Sequence, residues 1–495
     1  MAGLILYSVN PRSLGVLPQW TTAINEAERL ECNCIHLNPF HPTTQTGKIK
    51  DGAQQSGSLY AITDHFAINP EFCEQDAVVS KTQLHDFIRN AHGRKLRVMA
   101  DLVLGHVAID HPLVKSNPEF FRRNADGTLY IGGPVDDPWS DVATIDYENP
   151  AAWNYFLGEQ GYWLRLMDYY LDLGFNAFRC DAVYWLPQLV WEQVLNYAHR
   201  RNPDIIILAE TLGLSGQDAE LMQEALREVD SRIIYDLAYD DVGRNWDGKD
   251  ATTLNQGRAG RVDCVSHFGT LGFVDSHDFA PRAKLLRDVY KDTREATADI
   301  KIAMQCLRDY AVACFTNNSV LIPRGFQWCI ESNTGVFRQQ VTPEFFQQLK
   351  ADRRAVPTAL NIGPALAEMH ELRGKIPHDA RVRVSNAVVT DSPYLAAIQC
   401  DFHNHDDDRV LASIILLLNT AMQHGAQKFP ETWWRGLKEA QSNAQRIQFG
   451  PDMKNRAGIT GVAILVVPGD HMQRMALNQR QAPAAKPGDE LNLVA

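Results

Sequence analysis

The feature that most constrains the fold is an alternation. From residue 1 to about 345, short β-rich runs alternate with longer segments of helical period, as parallel strands joined by helical crossovers require. Eight strands are predicted: Leu4–Ser8, Cys34–Asn38, Arg97–Val103, Ala177–Val183, Ile205–Ala209, Arg232–Leu237, Gly269–Val274 and Ser319–Pro323. Trp163–Leu173 and Trp191–His199 read as helices between them. Eight such units favour a closed (β/α)8 TIM barrel over an open sheet. An open doubly wound sheet would normally show a G-x-G-x-x-G turn after its first strand, and that turn is absent here.

Between Leu104 and Tyr155 the expected crossover helix gives way to a stretch rich in Pro, Gly, Asp and Asn. A loop that long inside a compact domain is usually functional, and it leaves the C-terminal end of the third strand, where barrel enzymes build their sites. After about residue 380 the pattern changes to alternating runs, Arg381–Val389 and Val410–Leu418, which predicts a C-terminal β-sandwich. The expected organisation is a barrel over 1–350 with a loop subdomain at 104–155, a linker helix and sandwich over 351–478, and a flexible tail over 479–495.

Charge narrows the partners. Forty-eight Lys and Arg against 60 Asp and Glu give a net charge of −12, which argues against nucleic acid or an anionic membrane and suits a neutral ligand. The nine cysteines are odd in number and mostly sit in apolar runs, as reduced, buried thiols do. Cys32 and Cys34 match neither a redox motif nor a zinc site. The opening MAGLILYSVNPRSLG lacks the basic lead and apolar length of a secretory signal. The longest apolar stretch, Val410–Leu418, is about half the roughly 20 residues a bilayer needs. These features predict a cytoplasmic protein, and they leave its oligomeric state open.

Polar residues gather at the C-terminal ends of the predicted strands: Asp101 and His106 after the third, Arg179 and Asp181 on the fourth, Glu210 after the fifth, His277 and Asp278 after the seventh. All would face one mouth. Arg179 and Asp181 are two apart on a strand, so both point to one face and Cys180 to the other. A guanidinium beside a carboxylate favours the ionised form a nucleophile needs, whereas a less solvated carboxyl keeps its proton and can act as an acid. Asp181 and Glu210 could divide those roles. Taken singly, Asp181 is more often an ion-pair partner of Arg179 than a nucleophile, Glu210 is as often a cap or solvated loop residue, and either histidine is more often a packing residue than a catalytic one.

Order and spacing carry more weight than any one residue. Asp101-Leu-Val-Leu-Gly-His106, Phe178-Arg-Cys-Asp-Ala182, Glu210 and Phe273-Val-Asp-Ser-His-Asp278 follow one another at successive strand ends. In this the sequence resembles the α-amylase family of glycoside hydrolases and transglycosylases. The resemblance extends to Gly57-Ser-Leu-Tyr60-Ala-Ile and to the late β-rich region. It implies Asp181 as nucleophile, Glu210 as general acid and then base, and Asp278 as a third carboxylate holding sugar hydroxyls. It further implies that Arg179 keeps Asp181 ionised, that His106 and His277 bind the transition state, that Asp101 supports them, and that Tyr60 is a sugar platform. Tyr184 and Trp185, directly after the Asp181 strand, are further candidates for apolar sugar contacts. The substrate so implied is an α-glucan or maltooligosaccharide, and no cofactor is called for.

Two departures matter. Gly105 stands where the family commonly has an Asn that ligates calcium, so no metal is expected. Ala61 follows Tyr60 where many amylases have Asp. Finer resemblance, in Leu37-Asn-Pro-Phe-His-Pro42, Asp110-His-Pro112 and Asn117-Pro-Glu-Phe-Phe121, points toward the maltosyltransferases that use maltose 1-phosphate. Lys48 and Lys50 could meet a donor phosphate, or be solvated loop lysines. A non-catalytic carbohydrate-binding barrel is the rival from another class, and the intact acid set argues against it.

Overall fold

The computed structural model describes residues 3–50, 53–74, 76–133, 137–212, 235–241, 269–332, 335–341, 360–377, 380–386, 395–404, 406–420, 445–449 and 462–468, with 214, 217, 220–222, 224 and 244. Eight parallel strands close on themselves: β1 (Ile5–Val9), β2 (Cys34–Leu37), β3 (Arg97–Leu102), β4 (Ala177–Cys180), β5 (Ile206–Ala209), β6 (Leu237–Asp240), β7 (Thr270–Gly272) and β8 (Ser319–Pro323). Each pairs with the next in sequence, and β8 returns to β1 through Ile5↔Val320. The expected barrel is therefore present. Seven strands fall where the sequence placed them, within a few residues. The sixth lies further along: Leu237–Asp240 replaces the expected Arg232–Leu237, of which 232–234 lie outside the described residues.

Side-chain alternation explains the closure. Ile5, Tyr7, Val9, Ile35, Leu37, Val98, Ala100, Phe178, Cys180, Ile207 and Ile322 face outward into a large core shared with the helices. Leu4, Leu6, Cys34, Met99, Ala177, Leu208, Leu237, Tyr239, Leu271, Phe273 and Leu321 face inward and pack as a separate cluster. A barrel interior of this size is filled by layers of side chains, so it is a packed core and not a pore. Helices α1 (Thr21–Arg29), α2 (Ala77–Gly93), α3 (Tyr162–Leu173), α4 (Gln188–Arg201), α5 (Arg282–Val289) and α6 (Glu295–Phe315) belong to the outer layer. Asp76 caps α2 by accepting from the amides of Val78 and Val79, and Gly174 ends α3 in the left-handed conformation at φ 100°.

The segment after β3 is more ordered than a loop. His106–Ala108 pairs antiparallel with Val142–Thr144, and short helices occupy Pro112–Ser116 and Pro150–Leu157. Tyr147 ties it down: its hydroxyl donates to Leu104 O at 2.6 Å and accepts from Trp163 Nε1 of α3 at 2.7 Å. In the C-terminal region, α7 (Gly363–Arg373) precedes strands β9 (Arg381–Asn386), β10 (Leu395–His403), β11 (Val410–Asn419), β12 (Gln445–Phe449) and β13 (Val462–Pro468). The described strands form one antiparallel sheet in the order β9-β10-β11-β13-β12. Ile398, Phe402, Ile414, Leu416 and Ile464 join the same apolar core as the barrel helices. The tail expected at 479–495 lies outside the described residues. Among the described residues, no helix is long and apolar enough to cross a membrane.

Three buried histidines pack where the loop subdomain meets α3. The His65 ring lies 5.9 Å from His41, 6.3 Å from His111 and 5.1 Å from Trp163. His65 Nδ1 contacts Tyr162 Oη at 3.2 Å, while its buried Nε2 has no hydrogen-bond partner. Burial, reinforced by the neighbouring histidines, holds His65 well below the usual imidazole range. The folded state thus favours neutral His65, and that stabilisation is complete above the unfolded value near 6.5 and is lost progressively as pH falls below it toward the folded value. A glutamine does not titrate. From pH 7.5 to 5.5, His65→Gln is expected to gain roughly 1 kcal/mol relative to wild type, measured from urea unfolding at both pH values. A difference that stays constant would contradict this account.

Candidate active site

At the C-terminal end of the barrel the inward positions turn polar, and a buried guanidinium organises them. Arg179, on β4, is 1% exposed. Its Nη1 donates to Asp101 Oδ1 at 2.6 Å and to Asp181 Oδ1 at 2.8 Å, and its Nε donates to Tyr239 Oη at 3.0 Å. The Asp101 contact follows from register, because Asp101 and Arg179 are partners across β3 and β4. The guanidinium also lies over two rings, 5.8 Å from the Tyr60 centroid and 5.4 Å from that of Tyr239. Asp101 Oδ2 accepts from the Tyr60 hydroxyl and from His36 Nε2, each at 3.0 Å. Burial pushes Asp101 upward, but Arg179 and His36 prevail and hold it well below the usual carboxylate range.

The candidate pair Asp181 and Glu210 is linked through the backbone. Glu210 Oε2 accepts from the amide of Ala182 at 2.8 Å, and Oε1 accepts from the amide of Leu212. Ala182 adopts a left-handed conformation, φ 45° and ψ 56°. This is a conformation non-glycine residues rarely adopt, costing about 1–2 kcal/mol, and it accompanies the amide's contact with the Glu210 carboxyl. Burial raises both acids, and Arg179 opposes the rise in each. Asp181 has the direct ion pair with Arg179. Glu210 does not; burial, with the charges of Asp181 and Asp278, pushes it up to about 8. Of the two, Glu210 holds the proton. Asp278 is the most open of the three, with its side chain 39% exposed, and His277 Nε2 lies 3.3 Å from its Oδ1.

His277 connects the rest. Its Nδ1 accepts from Asn38 Nδ2 at 3.4 Å, which leaves the proton on Nε2, 3.0 Å from Tyr60 Oη. The Tyr60 and His277 rings stack at 5.3 Å. His106 Nε2 donates to Tyr60 O at 3.2 Å, and its ring lies 6.0 Å from Trp139. Burial lowers both histidines, so both are neutral near pH 7. Trp185 is 39% exposed and packs on Trp139 at 5.1 Å, whereas the Tyr184 hydroxyl is engaged by Leu212 O. Asp101 departs from its expected position: with no side-chain exposure it reaches no cleft and serves as the counter-charge of Arg179.

Sequence reasoning missed Ser8, His36, Asn38 and Tyr239. The first three are polar residues at or just after the ends of β1 and β2, the same signal that singled out Arg179 and Asp181. Tyr239 was hidden by the misplaced sixth strand. At Gly105, a Cβ would come within 3.1 Å of Leu186 Cδ1, so an apolar side chain packs where a ligating one would start. Lys48 and Lys50 lie on the strand Gly47–Lys50, but their side chains are outside the described residues. Among the described residues, no three acidic, histidine or cysteine side chains cluster as a metal site.

The closed parallel barrel is a fold shared with solved α-amylases. Residues 1–124 match the family model for the glycogen debranching enzyme glucanotransferase domain. An α-amylase from Lactobacillus plantarum superposes with a TM-score of 0.62 at 18% identity, covering 94% of this chain and 97% of its own. A maltogenic α-amylase from Thermotoga neapolitana superposes with a TM-score of 0.58 at 21% identity, covering 94% and 96%. The more particular likeness is in sequence. The α-1,4-glucan:maltose-1-phosphate maltosyltransferases of Picrophilus torridus and Corynebacterium glutamicum are each 26% identical, over 217 and 200 residues. These matches take in 41% and 40% of this chain but only 32% and 29% of the relatives, so it spans about a third of their length. They bear out the resemblance to the α-amylase family drawn from the motifs.

The geometry makes Arg179 the hub. Replacing it with Leu leaves two buried or part-buried carboxylates without a counter-charge, a change expected to cost about 3–5 kcal/mol. Urea unfolding of Arg179→Leu at pH 7 reads this directly. A midpoint equal to wild type would show that the cluster does not depend on the guanidinium.

Proposed function

We propose that this chain is an α-retaining carbohydrate-active enzyme of the α-amylase type, acting on α-glucans or maltooligosaccharides by double displacement. The observation that carries the reading is the difference in surroundings between two neighbouring acids. Asp181 is ion-paired to Arg179 at 2.8 Å, while Glu210, one amide away through Ala182, retains a proton up to about pH 8. A retaining glycosidase needs this pair, one carboxylate to attack the anomeric carbon and one acid to protonate the leaving oxygen.

In the first step Asp181 forms a bond to the anomeric carbon as the glycosidic bond breaks, and Glu210 gives its proton to the departing oxygen. In the second, Glu210 takes a proton from water or a sugar hydroxyl, which attacks the same carbon and releases Asp181. Asp278 and neutral His277 and His106 are suited to hold sugar hydroxyls, with Tyr60, Trp185 and, less openly, Tyr184 supplying apolar faces. Residues 1–350 would form the catalytic unit, with its loop subdomain at 104–155, and 351–478 the accessory one. A cytoplasmic setting fits the eight free cysteines among the described residues.

A second reading, transfer of maltosyl units from maltose 1-phosphate, is favoured by the two relatives described above. Incubation with maltose 1-phosphate plus glycogen, and separately with maltooligosaccharides, separates the two. Phosphate release with glucan elongation supports the transferase, and shortened or redistributed oligosaccharides support a hydrolase or glucan transglycosylase. Asp181→Ala is expected to lower either activity by at least about a thousandfold, and unchanged turnover would remove Asp181 from the mechanism.

The acid's proton predicts a pH limb. For a glucan substrate, kcat/KM should fall above about pH 8 as Glu210 ionises. Glu210→Gln should lose activity on glucans far more than on an α-glucosyl fluoride, whose leaving group needs no proton. Equal losses on both substrates would contradict the general-acid role.

A further inference from the structure

Behind the arginine bridge, two residues that are not hydrogen-bonded to Asp181 complete a buried relay. Ser8 ends the inward row of β1, and His36 faces it across the β1–β2 register. Ser8 Oγ and His36 Nδ1 are 3.0 Å apart, His36 Nε2 is 3.0 Å from Asp101 Oδ2, and Asp101 Oδ1 accepts from Arg179 Nη1. Asp181 takes its bond from that same Nη1. Ser8 is 7% exposed, His36 0% and Asp101 3%. We propose that Ser8 and His36 are a positioning pair, acting through Asp101 and Arg179 to set the ionisation of the nucleophile candidate Asp181. This rests on the double-displacement reading above.

Two carboxylates draw on the two N–H groups of one guanidinium nitrogen. Arg179 Nη1 serves two carboxylates at once, and Asp101 is the more deeply buried. Asp101, ionised, is an acceptor only, so the His36 proton facing it must be on Nε2, which leaves Nδ1 able to accept from the Ser8 hydroxyl. That tautomer gives Asp101 a third donor beside Tyr60 and Arg179. With His36 in place, Asp101 is satisfied without monopolising the guanidinium. Without it, Asp101 lacks a donor in a site closed to water, Arg179 is drawn toward it, and Asp181 is left with a weaker counter-charge. Arg179, His106 and the carboxylates of Asp101 and Glu210 bear on Asp181, and Arg179, His36, His277, Tyr60 and Tyr239 surround Asp101.

A Ser-His-Asp chain invites comparison with hydrolytic triads, and the space around Ser8 excludes that use. The cavity bounded by Ser8, Asn38, His277 and Arg324 holds about 10 Å³, at most one water. No acyl substrate can reach the hydroxyl. The relay serves the neighbouring acids and not chemistry at Ser8.

The test uses the full chain and a glucan on which wild-type activity has been established. His36→Leu removes the donor to Asp101, while His36→Gln offers an amide N–H that does not titrate. His36→Leu is expected to move the acid limb of kcat/KM upward by about half a pH unit or more, with kcat falling more than KM changes. His36→Gln should restore the wild-type limb, and Ser8→Ala should move it the same way as Leu but less. A merely structural histidine would lower the urea midpoint in both His36 variants without moving the limb, and that result would overturn the proposal. So would equal limb shifts in the Leu and Gln variants. Absence of wild-type activity both on maltooligosaccharides and on maltose 1-phosphate plus glycogen would instead overturn the double-displacement reading on which the relay rests.

Discussion

Everything at the mouth of this barrel depends on one guanidinium shared by two carboxylates. Arg179 is buried, and a buried charge is tolerable only when it is paired and hydrogen-bonded. Its solution is dense: Asp101 and Asp181 on Nη1, Tyr239 on Nε, and a tyrosine ring on either side. The site carries two negative charges around one positive. Burial, with the charges of Asp181 and Asp278, raises Glu210, while the direct bond from Arg179 opposes the rise in Asp181.

The barrel's layering places this cluster. Lower inward positions are apolar, among them Leu6, Cys34, Met99, Ala177 and Leu208. Two residues further toward the C-terminal end, the same rows present Ser8, His36, Asp101, Arg179 and Glu210. A strand's two-residue period keeps a row on one face, so the switch from apolar to polar marks the C-terminal end of the packed interior. Register does the rest. Ser8 meets His36 and Asp101 meets Arg179 because they are cross-strand partners, and the sharp left-handed turn at Ala182 brings β4 and Glu210 together.

Much of this was legible in the chain, and the gaps have physical causes. Asp101, Arg179, Asp181 and Glu210 announced themselves as charged residues ending apolar strands, where bare packing gives no reason for charge. His36 did not, because one imidazole in Cys-Ile-His-Leu looks like a packed ring until the strand 65 residues away supplies Asp101. Tyr239 was lost when the sixth strand was read five residues early; Ile233 and Ile234 attracted the strand, while the barrel took Leu237–Asp240. Asp101 was read as part of the cleft, since distance from the strand end could not reveal that Arg179 would stand in front of it. The late alternating runs did predict strands, whose described part is a single sheet.

In the proposed mechanism Asp181 forms a covalent bond to the anomeric carbon. An α-glucosyl fluoride carrying a second fluorine on the sugar slows release of the glycosyl-enzyme and lets it accumulate. Peptide mass spectrometry of the trapped protein should find one sugar per chain, attached to the peptide containing Asp181. Label on Asp278, on Glu210 or on no residue while turnover continues would contradict the account.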